Sequence, residues 1–109
     1  MNITYDDFAK LELRIATVLE CTVHPNADKL LVLQIDLGSE KRQICAGLRA
    51  FYSPEALVGK QIIVVANLEP REMRGQISSG MLLAATDQTS GRVIIISPAE
   101  NVTAGSVVK

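Results

Sequence analysis

Three stretches in the first half of the chain alternate in polarity or share one apolar face, with the two-residue period of a strand. From Leu13 to Val23, the residues Ile15, Thr17, Leu19, Cys21 and Val23 alternate with Arg14, Ala16, Val18, Glu20 and Thr22. The run stops at His24-Pro25-Asn26-Ala27-Asp28, where proline, asparagine and aspartate supply turn chemistry. Leu31, Leu33, Ile35 and Leu37 then share one face, and Gly38-Ser39-Glu40-Lys41 turns the chain into Arg42-Gln43-Ile44-Cys45-Ala46. Together these runs predict a three-strand meander.

The pattern breaks between Gly47 and Gly59, where Ser53-Pro54-Glu55-Ala56-Leu57 reads as an N-cap followed by proline at the first helical position. Strands resume at Gln61 to Ala66 and Met81 to Thr86. Asp87-Gln88-Thr89-Ser90-Gly91 turns into a strand from Arg92 to Ser97, and Val107-Val108 can hold a last short one. Ahead of the meander, Thr4 and Asp7 have capping-box spacing and open a short helix through about Leu11, with Tyr5 and Phe8 on its apolar face. So short a helix must dock on its own sheet or on a second subunit. Five or more short strands with one helical interruption after the third predict an all-β fold. The expectation is a five-stranded oligonucleotide-binding (OB-fold) barrel with a short N-terminal helix and extra C-terminal strands, against an open sandwich or another small barrel.

At 109 residues the chain has the size of one domain, spanning 1–109. Hydrophobic residues make up 48%, but aromatics only 4% and tryptophan is absent, so the core must be built from Val, Ile, Leu and Ala. Eleven basic residues stand against 12 acidic ones, so no domain-wide positive field announces a polyanion partner and any nucleic-acid binding must come from local clustering. Cys21 and Cys45 have no second Cys or His at metal spacing, and read as reduced, packed thiols. The acidic N-terminus lacks the basic flank and apolar stretch of a secretory signal, and no apolar run is long enough to cross a bilayer as a helix. A soluble cytoplasmic protein with no membrane partner is expected.

Between the strands at 61–66 and 81–86 lies the richest chemistry: Asn67-Leu68-Glu69-Pro70-Arg71-Glu72-Met73-Arg74-Gly75-Gln76-Ile77-Ser78-Ser79-Gly80. Guanidinium forks, hydroxyls and amides are the donors that phosphate and ribose oxygens accept. Arg71 and Arg74 lie three apart, the spacing at which a helical turn puts both forks on one side. Gly80 permits close backbone approach. Ser78 has no partner set for nucleophilic catalysis, since the chain holds one histidine and no G-x-S-x-G elbow. His24 reads as structural. Neither a metal site nor a glycine-rich phosphate loop is present in the sequence, so no cofactor is expected. Elsewhere, Lys29 suits a phosphate as a mobile point charge, and Arg42, at the start of a strand, has a direction fixed by its ladder while Lys41 points to the other face. The plain reading of Met81 is core packing.

Four segments in order resemble one family: Asp7 to Ile15, His24 to Leu30, Asp36 to Ile44, and Asn67-Leu68 through Gly80-Met81. The family is the tRNA-binding domain found at the C-terminus of many methionyl-tRNA synthetases and as small free-standing proteins. The resemblance implies an OB-fold barrel, homodimerisation, recognition of the folded shape of tRNA, and no catalytic activity. By matching positions it implies RNA contacts at Asn26, Lys29, Arg42, Arg49, Asn67, Arg71, Arg74, Ser78 and Met81. The helix carrying Tyr5 and Phe8 is the candidate dimer interface, and methionyl-tRNA synthetase a candidate partner. Glu72 departs from the pattern, where a second basic residue is expected, and offsets part of the local positive potential. With so few aromatics to stack bases, the expected mechanism is contact of arginines, lysines and amides with phosphates and 2′-hydroxyls. The alternative is an export-related peptide-binding chaperone on the same barrel. An enzyme would need an acid-base pair that the chain does not supply.

Overall fold

The computed structural model describes residues 1–109. In chain order the elements are α1 (Tyr5–Ala9), β1 (Leu13–Val23), β2 (Leu31–Asp36), β3 (Lys41–Ala46), α2 (Pro54–Leu57), β4 (Gln61–Val65), β5 (Arg71–Met73), β6 (Gln76–Ser78), β7 (Met81–Leu82), β8 (Ala84–Thr86), β9 (Val93–Ile95) and β10 (Val107–Val108). The main sheet runs β3-β2-β1-β4-β7, all antiparallel, with β10 added to the start of β1. Strongly curled, it forms a half-barrel in which the expected meander is β1-β2-β3. No helix is long and apolar enough to cross a membrane.

One strand serves three neighbours because it bends. β1 pairs with β4 over Leu13 to Thr17 and with β2 over Thr17 to Val23, and its register slips between Val18 and Glu20, leaving Leu19 as the extra residue of a bulge. The slip also changes which side chains enter the barrel. Ala16 and Val18 lie in the core before it and Cys21 packs against the core after it, while Leu19 and Val23 are exposed. Thus the single face 15-17-19-21-23 suggested by strict alternation is corrected: an inserted residue switches the parity. β2 keeps its face, with Leu31, Leu33, Ile35 and Leu37 all buried. Ile44, Ile62, Val64 and Leu82 complete the wall, and Leu57 of α2 is fully buried among them.

The curl is closed on its β3 side by side-chain chemistry more than by a ladder. Ser79 N–H donates to Gln43 O at 2.8 Å, and Ser78 Oγ accepts from Cys45 N–H at 2.9 Å while donating to Gly80 O at 3.0 Å. A Cβ at Gly80 would stand 3.1 Å from Val64 Cγ1, so the close approach this glycine permits is to β4. The predicted strand from 81 to 86 is split in two: Leu82 faces the barrel, whereas β8 leaves it to form a hairpin with β9. In the turn of that hairpin, Asp87 accepts from Thr89 N–H, Ser90 N–H and Ser90 Oγ, which holds its carboxyl below the usual carboxylate range, the Ser90 hydroxyl contributing most.

Candidate nucleic-acid interface

Residues 71–78 are a hairpin, not a helical turn. Arg71 pairs with Ser78 and Met73 with Gln76, leaving Arg74 and Gly75 as a two-residue loop with φ of 56° and 94°. Two positive values in succession belong to the type I′ turn, whose twist matches that of the strands it joins. Arg71 therefore lies on the β5 ladder and Arg74 at the tip. Glu72 accepts from Gly75 N–H at 3.1 Å, so the residue that departs from the family pattern caps this turn.

His24 locks the hairpin to the β1–β2 turn. Its ring is 2% exposed; Nδ1 accepts from Asn26 N–H at 2.9 Å and Nε2 lies 2.7 Å from Met73 O. Because Nδ1 accepts, Nε2 must carry the proton and donate, which fixes the neutral tautomer. Asn26 Nδ2 adds a longer bond to Arg74 O at 3.4 Å. Gln43 ties the other strand of the hairpin to β3 through Gln76 Oε1 at 3.1 Å and Ile77 O at 3.0 Å. None of these cross-links was legible from the sequence, which marks His24 as structural without showing what it holds.

The candidate residues fall into three groups. Asn26, Asp28, Lys29 and Arg74 line one open hollow of about 440 Å³, and Arg49 stands beside it, its backbone N–H donating to Lys29 O at 3.4 Å. Arg71 and Met81 line a second hollow with Glu69, Met73 and Ser78. Met81 is 48% exposed, so its side chain is not the core residue that its place at a strand start suggested. The third group is engaged within the chain. Arg42 reaches Ala66 O, Ser79 O at 3.3 Å and Glu40 Oε1 at 2.5 Å, bracing β3 against the end of β4. Asn67 accepts from Glu12 N–H at 2.8 Å and donates to Lys10 O at 2.7 Å, fastening the link between α1 and β1. Ser78, 4% exposed, closes the barrel as described above.

The helix α1 buries none of its residues. Thr4 Oγ1 accepts from Asp7 N–H at 3.1 Å, but the Asp7 carboxylate turns to Lys10, so only half of the expected capping box forms. Tyr5 and Phe8 are 77% and 37% exposed beside Leu11 and Val107. Both cysteines are free; burial pushes both thiols above their ordinary range, and the Glu55 carboxylate adds to the rise at Cys21.

A curled sheet that displays a locked pair of cation-bearing loops defines a small β-barrel binding module. Residues 13–107 match the model of the family described as "Putative tRNA binding domain". The methionine–tRNA ligase of Parabacteroides distasonis is 50% identical over 108 residues, covering 99% of this chain and 16% of that protein. The chain thus spans about one sixth of the length of that relative. Among solved structures, a MetRS-related protein from Pyrococcus horikoshii superposes with a TM-score of 0.93 at 33% identity, covering 100% of this chain and 99% of that one. The chaperone CsaA from Bacillus anthracis gives 0.91 at 29%, with both chains fully covered. The chain belongs to the tRNA-binding domain family, whose members are binding modules.

Proposed function

We propose that the chain grips folded tRNA by its backbone, as a dimer in the cytoplasm, and that it serves a methionyl-tRNA synthetase either as an appended domain or as a separate subunit. One observation carries this reading: the His24 lock gathers Asn26, Lys29 and Arg74 around one hollow, with Arg49 beside it. Two loops from distant parts of the sequence thereby present Lys29, Arg49 and Arg74 against the single carboxylate of Asp28, a local basic excess on a chain that has none overall. Arg71 lies on β5 of the hairpin that carries Arg74 and adds a cation to the second hollow. Arg42, Asn67 and Ser78 enter as residues that hold the frame, and Met81 as an exposed thioether beside Arg71.

Recognition of shape fits the aromatic inventory. Phe51 and Tyr52 are half-buried, Tyr52 accepts Ile95 N–H at 3.2 Å on its hydroxyl, and Tyr5 and Phe8 belong to α1. None of the four lines the basic hollow as a stacking platform of the kind single-strand binders use. Phosphates and 2′-hydroxyls are the remaining handles on a folded RNA. Dimerisation through the exposed faces of α1 and β10 would set two such surfaces on one body, raising the effective concentration of the second for an extended polyanion.

The test is a titration of folded tRNA, and of the same RNA heat-denatured and trapped as single strands, at two salt concentrations with Arg74→Ala alongside. Preferential binding of folded tRNA is expected, with Arg74→Ala weakening it and lowering the salt slope by about 1 for the phosphate contact removed. Equal binding by the variant, or no binding of tRNA, would remove this site and favour the peptide-binding chaperone reading.

A further inference from the structure

We infer that the apolar gap between β3 and β7 receives one unstacked base of the bound RNA; this rests on the RNA-binding reading and adds a contact to it. The two strands are joined at Ser78 and Ser79 but diverge beyond, leaving an opening of about 420 Å³. Its walls are almost wholly apolar, with Leu48, Met73, Met81, Leu83 and Val93 around Gly47.

Gly47 gives the gap its meaning. It lacks the positive φ of the turn glycines, and a Cβ built on it would meet nothing within 4 Å, so neither backbone conformation nor packing calls for glycine. What its missing side chain preserves is the opening. Nor does its N–H donate to any acceptor of the chain. That N–H lies two residues beyond the Cys45 N–H, which crosses the same seam to Ser78 Oγ. An apolar cleft with one free amide donor suits a flat ring whose edge carries an acceptor.

The charges around the opening specify a nucleotide over an apolar peptide. Arg49 follows two residues after Gly47, and Arg71 lines the adjoining hollow that shares Met73 and Met81 with the gap. Glu69 is the one carboxylate in that hollow. A base seated inside leaves its phosphate outside, where these guanidinium groups can reach it, whereas an apolar side chain would leave them without a partner. Met73 and Met81 replace the absent aromatics, because a polarizable thioether makes favourable contacts with a ring.

The experiment labels the methionine ε-methyl groups with ¹³C, which gives three resonances, from Met1, Met73 and Met81. The full chain is titrated with folded tRNA, adenosine 5′-monophosphate, ribose 5-phosphate and an unstructured apolar peptide. A ring seated in the gap moves Met73 and Met81 upfield with tRNA or the nucleotide, leaves Met1 in place, and does nothing with ribose 5-phosphate. Gly47→Leu fills the opening and abolishes those shifts; its tRNA affinity falls about tenfold, the scale of one stacked base, at an unchanged salt slope. Should tRNA bind with its Arg74-dependent slope while neither tRNA nor the nucleotide moves the two methyls upfield, the base site is wrong and the RNA reading stands. Complete absence of tRNA binding overturns both. Shifts produced only by an unstructured apolar peptide would assign the gap to a polypeptide and overturn the inference.

Discussion

Arg42, Asn67 and Ser78 show how a residue type that suits a ligand can also be engaged by the fold. Their identity as donors was legible in the sequence. Their partners, Ala66 O, Lys10 O and Cys45 N–H, lie between 24 and 57 residues away and have no local signature. Ser78 is the sharpest case, since its buried hydroxyl is both acceptor and donor at the seam. Ser78→Ala deletes the acceptor of Cys45 N–H, and a buried amide left unpaired costs about 1–3 kcal/mol. Chemical denaturation should show a loss of that size. Met81 runs the other way: a thioether expected in the core lies at the surface, because β7 turns only Leu82 inward.

Among the elements, the strands of the meander were legible because each repeats its period over several residues, and the turns between them are rich in Pro, Asn, Asp, Gly and Ser. The β5–β6 hairpin was not. Each of its strands has three residues, too few for a period, and its turn is Arg-Gly in place of the usual Asn-Gly or Asp-Gly. An arginine in the left-handed region needs support, which the Glu72 cap and the tertiary bond from His24 to Met73 O provide. His24→Ala removes both ring bonds without touching a charge at the basic surface. Amide exchange should quicken at Asn26 and Gly75, and tRNA affinity should fall with the salt slope unchanged. The unchanged slope separates a residue that positions the loops from one that touches phosphate, as Arg74→Ala lowers the slope.

For the whole molecule, α1 is the part that does not find its partner within the chain. A five-residue helix with no buried side chain has little to hold it, yet Asn67 pins its exit and Thr4 caps its entry. Tyr5 and Phe8, beside Val107 of β10, form an apolar face suited to a second copy of the same face. Phe8→Glu places a charge in that face. In sedimentation velocity the parent chain should run as a dimer of the 11.8 kDa protomer and the variant as a monomer, with weakened tRNA binding because the paired surfaces separate.

The pairing of Leu13 with Val108 also sets a schedule for synthesis. β1 meets β2 and β4 early, but the flank of its first residues stays uncovered until β10 has been made. At roughly 5–20 residues per second, the translating chain carries that bare edge for seconds after the meander can form. An uncovered strand edge is a template for another chain. The pairing of Val107 and Val108 with Arg14 and Leu13 covers that edge.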